Sequence, residues 1–149
     1  MLNKSVTRKS PLPIKIPLLF LVGGIGYYLI EVLFRGHSHW SMAICGGICL
    51  VGIYCINLKF SNYPYALWAL MCSLLITAVE FVAGCIVNLW LGWNVWSYNS
   101  LPFNFMGQIS LLFSCIWFFL SFGVCILISF VQKRRNSFKL KKSHNITAK

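Results

Sequence analysis

Apolar residues in this chain fall in four long runs, at residues 17–35, 40–58, 65–91 and 108–132, separated by short polar breaks. A helix rising 1.5 Å per residue needs about 20 residues to cross the hydrocarbon of a bilayer, and each run is close to that length or longer. The pattern predicts an all-α, polytopic membrane protein with four transmembrane helices. Residues 59–64 (KFSNYP) read as a compact turn, with Pro64 opening the third helix. Residues 92–107, rich in Trp, Tyr, Asn and Pro, read as a loop. In the first run Gly23, Gly24 and Gly26 allow a neighbouring helix to come close, and in the fourth Ser121, Cys125 and Ser129 form a small-residue stripe. The first run reads as an uncleaved helix. It is followed by Arg35-Gly36-His37-Ser38-His39 rather than by a small-residue cleavage site.

Composition supports this division into one membrane domain with short ends. The 149 residues are 58% hydrophobic and only 10% charged, too few charges for the polar surface of a soluble domain. Charge is segregated as well. The formal net charge is +11, and the basic residues gather in a lead (1–16: Lys4, Arg8, Lys9, Lys15) and a tail (133–149). Basic residues flanking apolar spans follow the positive-inside pattern, so nucleic acid is not the expected partner. Four spans put both termini on one side, the cytoplasmic side of the cell membrane. Lys59 falls on that side too, and the loop at 92–107, which has no Lys or Arg, faces outward. The tail is suited to contact anionic lipid, at roughly 1 kcal/mol per basic residue near the surface.

The seven cysteines lie inside apolar runs and none forms a CxxC. They read as small packing residues. Cys45 and Cys49 are one helical turn apart without a nearby third ligand, and His37-Ser38-His39 offers only two ligands, so no metal site is expected. No cofactor is expected either.

The only two acidic residues, Glu31 and Glu80, lie inside the first and third runs. An ionisable group at that depth is costly and needs a partner or a task. Both acids sit about 21–23 Å from the inner edge of helices that run in the same direction, and so at similar depth in the outer half of the membrane. If those helices are neighbours, the acids can meet. Arg35 follows Glu31 by four residues on the same helical face, which permits a local ion pair. Glu80 is then left to be protonated, to pair with His37 or His39, or to hold a cation. Asn88 lies on roughly the face of Glu80. Trp96, Tyr98 and Asn104 from the loop and Gln108 at the start of the fourth helix complete a candidate polar chamber open to the outside. Trp90, Trp93, Trp96 and Tyr98 read as an interfacial aromatic belt or as a lid over that chamber.

These residues carry a resemblance. Gly26-Tyr27-Tyr28-Leu29-Ile30-Glu31, Glu80-Phe81-Val82-Ala83-Gly84, Trp96-Ser97-Tyr98-Asn99, Leu101-Pro102-Phe103-Asn104, Gly107-Gln108 and Trp117 together resemble the family named Putative ABC-transporter type IV, or CmpB-like. The resemblance covers about residues 25–120. Where that family reads Trp-Asp-Tyr-Ser, this chain has Ser97 and Asn99 at the second and fourth positions, and so no loop carboxylate. The resemblance implies a polytopic membrane protein linked to transport.

Two functions are consistent with these readings. One is a membrane component of a transport system, permease-like, with its polar site around Glu31 and Glu80. The chain has no GxxxxGK[ST] sequence, so any ATP hydrolysis falls to a separate ATPase, and four spans imply a homo-oligomer or a larger membrane complex. The other is a structural or regulatory membrane protein whose Glu and Arg groups are interhelical contacts. An enzyme is not expected, since HExxH and recognisable Cys/His or Ser/His spacings are missing.

Overall fold

A computed structural model describes residues 16–60 and 63–147, with side chains described up to Phe130 and at Arg134 in the last helix. The basic lead up to residue 15 and part of the KFSNYP turn lie outside the described residues. The chain forms α1 (Ile16–Arg35), α2 (Trp40–Phe60), α3 (Tyr65–Gly84), a π-helical turn (Cys85–Trp90), β1 (Asn104–Phe105), β2 (Ile109–Ser110) and α4 (Leu111–Thr147). Among the described residues, four stretches are long and apolar enough to cross a membrane: Ile16–Arg35, Trp40–Phe60, Tyr65–Trp90 and Leu111–Phe130. This is the architecture of a multi-pass membrane protein.

Two boundaries differ from the hydropathy pattern. The fourth helix, expected from residue 108, begins at Leu111. The preceding residues are drawn into an antiparallel pair, Asn104 opposite Ser110 and Phe105 opposite Ile109. Gly107, at φ +67°, makes the tight reversal between them. At its other end α4 does not stop with the apolar run. It continues through the basic tail to Thr147, because Lys, Arg and Asn do not break a helix as Pro or Gly would.

The helices pack in chain order, α1 on α2, α2 on α3 and α3 on α4. The α1–α2 contact depends on small residues. A Cβ at Gly23 would meet the Gly46 carbonyl at 2.6 Å, and one at Gly24 would meet the Ala43 carbonyl at 2.6 Å. Gly26, grouped with them by sequence, faces open space instead. Between α2, α3 and α4 lies a core of Ile53, Trp68, Ala69, Cys72 and Cys125. This cluster is at the end of the bundle that carries Lys59. A second cluster, Met42, Val87 and Trp96, closes the opposite end, where the loop between the π turn and β1 folds inward.

A clasped polar layer around Glu31 and Glu80 as the candidate functional site

Glu31 and Glu80 are both buried, at 6% and 7% exposure, and each has its own donors. Because α2 stands between α1 and α3 in the packing order, the two carboxylates are answered separately. Glu31 Oε1 accepts from Arg35 Nη1 at 2.6 Å, and its Oε2 accepts from the Ser38 hydroxyl at 2.5 Å. One helical turn separates Glu31 from Arg35, and the chain reversal after α1 brings Ser38 back over the carboxylate. The second guanidinium nitrogen, Nη2, donates to the Val95 carbonyl at 3.1 Å, so the ion pair also holds the loop.

Among the described residues, Glu80 meets no cationic partner. Its Oε1 accepts from the Tyr98 hydroxyl at 2.7 Å and its Oε2 from the Trp117 indole Nε1 at 3.0 Å. The histidines considered for this role are elsewhere. His39 pairs its Nδ1 with Ser41 Oγ at 2.8 Å and stands beside the Trp40 and Trp93 rings, and His37 is exposed. Trp117 also approaches Tyr27 of α1, with ring centroids 6.1 Å apart, which links the surroundings of the two acids. Burial pushes the Tyr98 hydroxyl well above the usual phenol range, and the nearby Glu80 charge adds to this. Tyr98 therefore remains a protonated donor across ordinary pH.

The π turn places Asn88 at the centre of a third set of bonds. Its amide nitrogen donates to the Trp96 carbonyl at 3.0 Å and to Gln108 Oε1 at 2.8 Å, and its oxygen accepts from the Val95 amide at 2.7 Å. The Trp96 indole donates to the Gln108 carbonyl at 3.0 Å. This packing requires Gly84, where a Cβ would fall 2.6 Å from Gln108 Oε1 and 3.1 Å from Trp96. Wide π turns often occur where a helix has to aim a side chain at a functional position. Asn104 does not join this layer. Its side chain closes the loop on itself, bonding the Leu101 carbonyl at 2.8 Å and the Gly107 amide at 3.1 Å.

The aromatic residues divide into two groups. Trp90 is 80% exposed and Trp93 packs with Trp40 at the rim, as an interfacial belt would. Trp96 and Tyr98 turn inward and plug the bundle. What lies beneath them is a narrow cleft rather than a wide chamber. It is lined by Tyr27, Cys45, Cys49, Val79, Glu80 and Trp117 and has room for a water molecule. Among the described residues, no three His, Cys or carboxylate side chains converge as a metal ion would require.

Two donors were not among the candidate site residues, although Trp117 is one of the residues that carry the family resemblance. Ser38 was hidden in a turn read only for its histidines. Trp117 had a usable signal, since it shares one face of α4 with Ser114, Ser121 and Cys125 at helical spacing.

The chemistry of the Glu80 site follows from its two donors. An indole N–H can only donate, so Oε2 must stay an acceptor. A phenol both donates and accepts. A proton arriving on Oε1 can therefore be donated to Tyr98 Oη while Trp117 keeps its bond. Glu80 can gain or lose a proton with both partners retained.

No curated protein and no solved structure matches the chain. Its sequence matches the family described as Putative ABC-transporter type IV over residues 18–148. That match covers most of the chain and includes both glutamates and the loop that clasps them, and the chain belongs to this family.

Proposed function

We propose that this chain is the membrane subunit of a transport system, with Glu80 as its intramembrane proton-exchanging group. The observation that carries the reading is the pairing of Glu80 with Tyr98 and Trp117, a partner set that tolerates both protonation states. A carboxylate held by two donor-only groups would lose one of its bonds on taking up a proton. The family match supplies the link to transport.

In this reading both termini and Lys59 face the cytoplasm, by the positive-inside pattern, and the Trp96–Tyr98 loop faces outward. The cleft at Glu80 is too small for an organic solute, so the solute path runs between this chain and a neighbour, either a second copy or a larger subunit. ATP hydrolysis belongs to a separate chain. Protonation of Glu80 alters the pull on Tyr98, and through it the loop that Arg35 and Asn88 also hold.

Affinity purification in mild detergent, with identification of the co-purifying chains, tests this. The proposal expects an ATPase among them. Recovery of this chain with itself alone, or with unrelated membrane proteins, would favour a structural or regulatory role.

A further inference from the structure

The Lys59 end of the bundle contrasts with the clasped layer. In the clasped layer the buried polar side chains have partners. In the core between α2, α3 and α4, several have none among the described residues. Asn57, only 1% exposed, leaves both its amide nitrogen and its oxygen without a hydrogen bond. The Trp68 indole N–H and the Ser121 and Ser129 hydroxyls are likewise unbonded. Such groups are costly in a dry interior, and more so where no water surrounds the helices.

Their placement is ordered. Ser121, Cys125 and Ser129 recur every four residues on one face of α4, and Trp117, which holds Glu80, begins the same face. Opposite them on α3 are Trp68 and Cys72, again four residues apart, with Cys72 in the same buried cluster as Cys125. Asn57 lies one turn beyond Ile53 of the same core, three residues from the end of α2 and beside Lys59. The unpartnered groups thus form a short polar file in and beside the core at the Lys59 end, and the α4 face that carries Ser121 leads on to Trp117, which bonds Glu80.

The geometry points to a hydrated file in this core, in which water is held by Asn57, Trp68, Ser121 and Ser129 along the α4 face that leads toward Glu80. Water fits the chemistry of the file. The side chains are neutral, they mix donors with acceptors, and they include no charge that would select an ion. The inference rests on the packing of this core and holds for a transport subunit and a structural protein alike.

Radiolytic hydroxyl-radical footprinting of the full chain in detergent tests it, because radicals born from bound water mark the side chains next to it. Although Trp68, Cys72 and Cys125 are fully buried, they should be modified several-fold faster than Cys55 and Cys115, which lie on the apolar outer surface. Ser121→Ala and Asn57→Leu should each lower that labelling several-fold. Should Asn57→Leu fail to fold, Ser121→Ala and the unmodified chain still decide the matter. Trp68 and Cys125 labelled no faster than Cys115 would overturn the inference, as would labelling that neither substitution changes.

Discussion

The Tyr98 hydroxyl donates to Glu80 Oε1 at 2.7 Å, joining the loop to the C-terminal part of α3 across 18 residues of sequence. A phenol can reverse the direction of that bond and the indole on the other oxygen cannot, and this difference gives the first prediction.

Glu80→Gln should fold nearly as well as the parent chain. The new amide can donate to Tyr98 Oη while its oxygen still accepts from Trp117, which imitates the protonated acid. Thermal unfolding in detergent should show a change within about 1 kcal/mol. Glu80→Leu removes both acceptors and strands two donors, and should cost about 1–3 kcal/mol or more. Equal losses for the two variants would contradict the bonding described.

Arg35→Met should destabilise the chain by leaving Glu31 with Ser38 alone and releasing the Val95 carbonyl. Arg35 is 38% exposed, so the cost should be about 1–3 kcal/mol rather than the larger penalty of a fully buried pair. Adding Glu31→Gln should recover part of the loss in a double-mutant cycle. Additive losses would mean that the pair contributes no coupling.

Gly84→Ala should loosen the loop, because its Cβ would press on Gln108 Oε1 and displace it from Asn88. A cost of about 1–3 kcal/mol is expected from such overpacking. Gly123→Ala is the control. Nothing lies within 4 Å of its Cβ, and the helix should gain about 0.5–1 kcal/mol. Hydrogen exchange over residues 92–107 should rise in the first variant and stay unchanged in the second.

Tyr98 also predicts a pH dependence. Burial and the Glu80 charge raise its hydroxyl above the ordinary phenol value of about 10, so above that pH the unfolded chain loses a proton that the folded chain keeps. The folded state then binds more protons, and stability should fall as pH rises beyond about 10. Tyr98→Phe should flatten that part of the curve. An unchanged slope would mean that Tyr98 titrates as it does when unfolded.

The sequence revealed the helices far better than the contacts among them. Runs of about 20 apolar residues have few alternatives to a spanning helix, so all four were legible, as was the Glu31–Arg35 pair one turn apart. The late start of α4 was not, since a two-residue strand pair leaves no periodic trace. The separation of the two acids depends on α2 standing between α1 and α3, and helical period carries no information on packing order. The loop residues are similar. Trp90, Trp93, Trp96 and Tyr98 look alike in sequence, yet only the last two turn inward, a choice made by Asn88, Gln108 and the space left at Gly84.

The central claim is that Glu80 exchanges a proton in the working cycle of a transport complex. The most direct test is the ATP hydrolysis rate of the purified complex, measured with wild-type chain and with Glu80→Gln, which preserves the fold and removes the titrating group. The account predicts an assembled complex whose transport-linked hydrolysis is lost. A Glu80→Gln complex that assembles and hydrolyses ATP at the wild-type rate would contradict it.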